Sequence, residues 1–166
     1  MEMDPTEQKV TDTGTAGVVG RPILFFPAAI LVGLVLDRLL PVPFAIPGAD
    51  GVPWIVGGCL IVIGLALFAA GVRNFSRAAT PLPTNQPARV LVTTGIYRWT
   101  RNPIYLGFLL MYGGIGVAAQ SPWILILTPP IAITVRYGVV AREEAYLERR
   151  FGDAYRDYKA RVRRWL

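Results

Sequence analysis

The sequence predicts an all-α, multi-pass membrane protein with four transmembrane helices and a cytoplasmic, amphipathic helical segment at its C-terminal end. The first observation is compositional: 53% of the residues are hydrophobic and 17% are charged, whereas about a quarter of a soluble domain is usually charged. The second is that Asp, Glu, Lys and Arg are absent from Gly51 to Val72 and from Asn102 to Val135. About 20 apolar residues cross the hydrocarbon core as a helix, so the first stretch fits one crossing and the second fits two.

The order of the segments follows from polarity and turn residues. Residues 1–20 are polar and have no positive region before an apolar core, which predicts a flexible tail rather than a signal peptide. Residues 21–166 are expected to form one membrane domain. Gln120-Ser121-Pro122 interrupts the longer uncharged stretch and indicates a hairpin turn. The predicted spans are about 22–40, 52–72, 103–119 and 122–141, with a cytoplasmic connector over 73–101 and C-terminal helices over 142–165.

Small and rigid residues indicate how the spans pack. Gly57, Gly64 and Gly71 recur every seven residues in the second span and therefore share one face. Such a face indicates close helix packing and would also permit a homodimer. Pro129-Pro130 predicts a kink in the last span, and Phe151-Gly152 predicts a break in the C-terminal helix.

The positive charges predict the orientation. With both termini in the cytoplasm of a cell-membrane protein, Arg38 is the only Lys or Arg that lies at the outer side. Cytoplasmic loops normally carry the excess of positive charge, and the inverted topology would violate this rule. The formal net charge of +6 therefore indicates a membrane lipid surface rather than nucleic acid. The basic face of the C-terminal helices suits anionic lipid.

Metal chemistry and histidine-based catalysis are not expected. The chain has no histidine, and its single cysteine, Cys59, lies in an apolar run. The commonest general base and metal ligand is therefore missing.

Two polar groups of residues at the predicted cytoplasmic face could carry chemistry. In the first, Arg101 and Asn102 precede Pro103, which can open a helix, so a cation, an amide and a helix N-terminus meet. The second is Glu143 after the last span, with Arg136 seven residues earlier and expected on the same helix face. An ionisable residue at the depth of Arg136 is a functional candidate, with snorkelling to the headgroups as the alternative.

The ordered set of motifs resembles a known family. The motifs occur in this order: Leu91-Val92-Thr93-Thr94-Gly95-Ile96-Tyr97, then Arg101-Asn102-Pro103-Ile104-Tyr105-Leu106-Gly107, then Glu143-Glu144, then Phe151-Gly152 with Tyr155 and Tyr158. The set, over about 89–165, resembles the isoprenylcysteine carboxyl methyltransferase and phospholipid methyltransferase superfamily of integral membrane methyltransferases.

The resemblance implies an enzyme that transfers a methyl group from S-adenosylmethionine to a lipophilic small molecule or lipid. Its cofactor pocket would lie at the cytoplasmic side. Arg136 and Arg101 are candidates for positioning the acceptor. By motif position, the cofactor-binding residues would be Leu91, Val92, Tyr97, Asn102, Pro103, Ile104, Tyr105 and Glu143.

Two positions depart from the prenylcysteine enzymes. Those enzymes have His where this chain has Asn102, and Asn is similar to the phosphatidylethanolamine methyltransferase branch. A substrate-contacting Arg of the eukaryotic enzymes corresponds to Val139 here. Both differences argue against a prenylcysteine carboxylate as substrate. The lack of histidine is compatible with methyl transfer, because a carboxylate, thiolate or neutral amine acceptor needs mainly positioning. The alternative is a non-catalytic lipid-binding or scaffold protein with the same fold.

Overall fold

The computed structural model describes residues 22–44, 50–81 and 87–166. The predicted tail over residues 1–20 lies outside the described residues, as do parts of the segments on either side of the second helix. Within the described ranges every regular element is helical. The elements are α1 (Pro22–Leu39), α2 (Val52–Arg77), a short 3-10 helix (Gly95–Arg98), α3 (Pro103–Ala118), α4 (Pro122–Thr134), a π-helical segment (Val135–Val140) and α5 (Ala141–Arg161).

Two helical stretches are long and apolar enough to cross a bilayer. They are α2 and the continuous run from Pro122 to Arg161, and α3 is a shorter apolar helix. Large apolar side chains are exposed along α1 and α2, as at Leu31 (64%), Trp54 (67%) and Val62 (66%). Soluble monomers rarely expose a continuous apolar surface of this kind, whereas lipid would cover it. The predicted all-helical class is confirmed for the described residues.

The glycine face of α2 packs against α3. A Cβ atom built on Gly57 would lie 2.5 Å from the carbonyl oxygen of Gly114, and one on Gly64 would lie 2.6 Å from that of Gly107. A Cβ atom on Gly71 would lie 2.6 Å from a side-chain carbon of Ile104. The absence of side chains therefore brings the two backbones together, as expected for membrane helices. Because α3 occupies this face, the face is not free for the homodimer contact that the sequence also permitted.

A polar contact joins α1 to α4 at the end opposite the connector. Ser121 is the N-cap of α4 and accepts a hydrogen bond from the backbone amide of Ile124 at 3.1 Å. Its hydroxyl donates to Asp37 at 2.5 Å, and Trp123 donates to the carbonyl of Leu40 at 2.7 Å. These contacts fix the hairpin turn that Gln120-Ser121-Pro122 predicted. Beneath them an apolar cluster joins α1, α3, α4 and the π-helical segment.

The helix α4, the π-helical segment and α5 form one continuous helix with two irregular places. The run passes through Pro129 and Pro130 as α-helix, and hydrogen bonding widens to the π pattern over Val135–Val140. The predicted break at Gly152 is confirmed, since its φ of 52° and ψ of −125° are not helical. Glycine adopts this conformation without the steric cost that a Cβ would add.

The second helix is longer than predicted. It continues to Arg77 instead of ending at residue 72. Polar residues can extend a transmembrane helix into the interface, because its backbone hydrogen bonds remain internal. The extension carries Asn74, whose side-chain amide donates to the carbonyl of Thr94 at 2.6 Å. The last turns of α2 therefore anchor the connector that follows.

Close packing of α2 on α3 predicts a marked difference between two glycines of the same helix. We expect Gly64→Ala to lower stability by about 1–3 kcal/mol, because its methyl group would meet the α3 backbone. Gly58→Ala is the matched control, since a Cβ there has no neighbour within 4 Å among the described residues. Thermal unfolding in detergent measures both. Equal midpoints for the two variants would show that the α2–α3 contact is looser than described here.

Candidate functional site

A cavity lies where the connector, the first turns of α3 and one side of α5 meet. Its walls are largely apolar and aromatic, and its charged groups come from α5 and from the residue two before α3. The residues that line it are Phe75, Ala88, Val90, Leu91, Val92, Tyr97, Arg101, Asn102, Ile104, Tyr105, Glu143, Glu144, Leu147, Tyr155 and Tyr158.

A buried hydrogen bond links α3 to α5 across this cavity. The phenol of Tyr105 donates to Oε1 of Glu143 at 2.8 Å. Both residues are almost fully buried, at 8% and 7% exposure. A buried carboxylate is strongly destabilising unless it is paired or hydrogen-bonded. The hydrogen bond from Tyr105 therefore supports a buried carboxylate in the lining of the cavity.

The neighbouring carboxylate, Glu144, is held by two arginines. Arg164 approaches it in a bidentate manner, with Nε 3.0 Å from Oε1 and Nη2 2.7 Å from Oε2. Arg101 Nη2 lies farther away, 3.4 Å from Oε1. Bidentate arginine–carboxylate pairs are strong and directional. Glu144 thus joins the chain before α3 to the residues that follow α5.

The residues after α5 fold back over the start of α3. The backbone amide of Arg101 donates to the carbonyl of Arg163 at 3.1 Å. The carbonyl of Arg164 accepts from Thr100 Oγ1 at 3.1 Å and from Asn102 Nδ2 at 3.0 Å. We call residues 162–166 the C-terminal strap. Because the strap uses the amide nitrogen of Asn102, the side chain has its oxygen left for a ligand.

Side chains of α5 form hydrogen bonds with the backbone of the connector and hold it in place beside the cavity. The hydroxyl of Tyr146 accepts from the amide of Ala88 at 3.1 Å, and Arg150 donates to the carbonyl of the same residue. Tyr158 donates to the carbonyl of Tyr97 at 2.7 Å. These bonds satisfy backbone groups of an irregular segment, which would otherwise be costly to bury. A loop without regular structure can therefore serve as a fixed cavity wall.

Comparison with known proteins gives the family. The phospholipid methyltransferase family model matches residues 52–154. The chain belongs to the phospholipid methyltransferase family. The match covers α2, α3, α4 and most of α5, and all the cavity-lining residues except Tyr155 and Tyr158. The resemblance expected from the motifs is confirmed.

Individual relatives agree with the family. The chain is 32% identical to the protein-S-isoprenylcysteine O-methyltransferase of Saccharomyces cerevisiae over 111 residues, which are 63% of this chain and 45% of that protein. It is 35% identical to the rat protein of the same name over 111 residues, covering 65% and 36%. A Haemophilus influenzae protein is 70% identical over 27 residues, covering 16% and 43%. The chain thus spans less than half the length of these relatives. No solved structure matches the chain.

Most residues that the family resemblance selected come together. Pro103 is the exception among the eight expected cofactor-binding residues: it opens α3 as predicted, but it is buried against α2 beside Gly71 and does not line the cavity. Arg101, expected to position an acceptor, lies in the cavity wall. The other seven also line it: Leu91, Val92, Tyr97, Asn102, Ile104, Tyr105 and Glu143.

Arg136 lies away from the cavity, contrary to the expectation that it shares a helix face with Glu143. Arg136 is exposed, whereas Glu143 is buried. The reason is the π-helical segment between them, because a wider turn rotates the residues on either side relative to α-helical spacing. Arg136 instead lines a separate groove with Leu106, Leu109, Ala132, Ile133 and Trp165.

Sequence reasoning missed the aromatic and ionic support of the site. Leu147, Phe151, Tyr155 and Tyr158 recur at spacings of three or four residues, which indicates one face of an amphipathic helix, and the structure places Leu147, Tyr155 and Tyr158 in the cavity wall. The spacing of three and four residues identified the face but not what it covers. Glu144 belongs to the Glu143-Glu144 motif, whereas Arg164 is one of several basic residues near the end of the sequence. Nothing in the sequence indicated that these two residues pair.

Burial changes the acidity of the groups in the cavity. Desolvation raises the pKa of Glu143 to about 7, with a further increase from the nearby charge of Glu144, while the hydrogen bond from Tyr105 acts in the opposite direction. Burial also raises the pKa of Tyr97 and Tyr158, so both phenols remain neutral donors. Among the described residues no three potential metal ligands come together.

The raised pKa of Glu143 predicts a pH-dependent stability. Because the folded state holds this proton more tightly than the unfolded state, the stability is fully present below pH 4.5 and is lost as pH rises through about 7. Relative to Glu143→Gln, the wild type should lose up to about 3 kcal/mol over this range. Thermal unfolding at a series of pH values measures the difference, with Glu148→Gln as control. Parallel pH profiles for wild type and Glu143→Gln would contradict the prediction.

Proposed function

We propose that the protein is an integral membrane methyltransferase that uses S-adenosylmethionine and acts on a lipophilic small molecule or lipid. The observation that carries this proposal is the cavity in which Tyr105 and Glu143 meet at 2.8 Å, walled by the connector residues that the family resemblance selects. Membership of the phospholipid methyltransferase family supports the same chemistry.

The residues present fit the cofactor. Leu91, Val92 and Leu147 offer apolar surface to an adenine, and the free oxygen of Asn102 can accept a hydrogen bond. Glu143 presents a buried carboxylate to the cofactor's ammonium group. When bound, S-adenosylmethionine supplies a methyl group made electrophilic by its positively charged sulfur. The chain supplies binding, orientation and the exclusion of water.

Positioning accounts for the protein's contribution to this reaction. The chain has no histidine, and the buried phenols of the cavity are neutral donors rather than bases. An acceptor with a free lone pair requires no proton abstraction before attack. Holding two reactants in a reactive geometry can lower a barrier by roughly 7–11 kcal/mol. We therefore assign Tyr105 and Glu143 to cofactor positioning and no residue to general base catalysis.

A groove on the other side of the C-terminal strap is the proposed entry for the acceptor. It is lined by Leu106, Leu109, Ile133 and Trp165, with Arg136 at its edge. Its apolar walls suit a hydrocarbon chain, and Arg136 can hold a polar or anionic head. Within the strap, Arg164 contacts Glu144 at the cavity and the next residue lines this groove. The strap therefore lies between the two proposed ligands.

We also propose that α1, α2, α3 and the α4 region cross the membrane of the cell, with both termini in the cytoplasm. The apolar faces of α1 and α2 and the length of α2 support this arrangement. The cavity-lining connector and α5 then lie on the same side, as they must to form one site. The bias of Lys and Arg toward that side supports the orientation.

Two measurements test the function. We expect purified protein to bind S-adenosylhomocysteine, and to transfer a labelled methyl group from S-adenosylmethionine into a total lipid extract. Glu143→Gln and Tyr105→Phe should each weaken cofactor binding by about 10-fold or more. The first removes the buried negative charge, and the second removes the phenol that donates a hydrogen bond to it. Arg156→Gln is the matched control, because Arg156 is exposed, pairs with Asp153 and does not line the cavity.

Binding without transfer into any lipid fraction would remove lipids of that extract as acceptors and leave the cofactor site standing. A folded sample that binds no cofactor at millimolar concentration would overturn the enzyme proposal. That result would favour the non-catalytic lipid-binding or scaffold protein.

A further inference from the structure

Arg101 is a buried cation with donors to spare. Its side chain is 9% exposed and lines the cavity. Nε and Nη1 have no hydrogen-bond partner among the described residues, and both atoms are buried. Buried donors are almost always satisfied by protein, water or ligand.

The nearest carboxylate, that of Glu144, makes only a weak contact with Arg101. Glu144 lies 3.4 Å from Nη2 of Arg101, in a single long contact. The same carboxylate makes bidentate contacts with Arg164, the shortest at 2.7 Å. Arg164 therefore balances the charge of Glu144. The positive charge of Arg101 remains available to the cavity.

The C-terminal strap fixes the position of this charge. The backbone amide of Arg101 donates to the carbonyl of Arg163, and both neighbouring side chains, Thr100 and Asn102, donate to the carbonyl of Arg164. Three hydrogen bonds to the strap therefore fix the backbone around Arg101. A guanidinium held this way is organised before its ligand arrives, which reduces the entropy lost on binding.

The opposite charge is present in the same cavity. Glu143 presents a buried carboxylate, and Arg101 presents a buried guanidinium with two free donors. An α-amino acid carries one carboxylate and one ammonium on the same carbon. We propose that Arg101 is the carboxylate subsite for the amino-acid part of the methyl donor, and that Arg164 is a positioning residue that keeps Arg101 free by pairing with Glu144.

This inference rests on the proposed function, since it names the group of the cofactor that Arg101 recognises. It replaces the sequence-based expectation that Arg101 positions the acceptor. The two assignments differ in a measurable way. If Arg101 binds the acceptor, its replacement leaves cofactor affinity unchanged.

The test compares two ligands that differ in one group. S-adenosylhomocysteine has the carboxylate, and its decarboxylated analogue keeps the ammonium and the nucleoside. We expect wild type to bind the first about 10- to 100-fold more tightly, as charge-assisted hydrogen bonds of a buried arginine would give. Arg101→Gln should abolish this preference and leave affinity for the analogue nearly unchanged. Arg98→Gln, an exposed arginine of the same connector, should keep the wild-type preference.

Arg164 is tested with the same ligand pair. Arg164→Gln should release Glu144 to pair with Arg101 and so reduce affinity for S-adenosylhomocysteine but not for the analogue. Compared with Arg164→Gln, Arg164→Lys should restore part of the preference for S-adenosylhomocysteine. Lysine keeps the positive charge opposite Glu144 but cannot make the bidentate contact of arginine. If Arg164 had only a structural role, its replacement would lower the affinity for both ligands equally.

The outcomes separate the two proposals. If wild type binds neither ligand, the proposed function fails. If wild type binds both ligands equally well, the cofactor site stands and the carboxylate subsite is overturned. This comparison uses the unmodified protein and therefore does not depend on the folding of any variant. An equal loss for both ligands in Arg101→Gln would also contradict the assignment.

Discussion

Two adjacent carboxylates buried at the start of α5 hold the site together. Glu143 and Glu144 are 7% and 6% exposed, and buried charges need partners to be tolerated. Glu143 accepts a hydrogen bond from Tyr105 of α3, and Glu144 pairs with Arg164 of the strap, while Arg101 from the segment before α3 makes one longer contact with Glu144 at 3.4 Å. Satisfying these two groups therefore draws three separate segments to one place.

The packing of the other helices fixes the positions of the three segments that meet at Glu143 and Glu144. Glycines bring α2 and α3 close enough for backbone contact, and α2 ends beyond the apolar region, where Asn74 holds the connector. The apolar helices expose their large side chains outward, as lipid contact requires. Polar groups collect at the end where α3 begins and α5 starts. The apolar region thus fixes helix positions, and the ionic groups at its edge form the site.

Sequence reasoning predicted the helices, the hairpin turn and the break at Gly152, because each has a local signal in hydrophobicity or in turn residues. It also predicted that Asn102, Tyr105 and Glu143 belong to one site, through the ordered family motifs. It failed at Arg136, because a π-helical segment changes the register and has no recognisable composition. It could not find the Arg164–Glu144 pair, since twenty residues and a chain reversal at the strap separate the partners.

Photochemical cross-linking tests most directly whether a nucleoside binds in the pocket between the connector, α3 and α5. Protein irradiated with an azido-adenine analogue of S-adenosylmethionine would be digested and its labelled peptides identified. We expect labelled peptides within residues 88–105 or 143–158. Excess S-adenosylhomocysteine should compete for the site and abolish this labelling. Competable labelling confined to residues 106–135, with the connector and α5 unlabelled, would contradict this expectation.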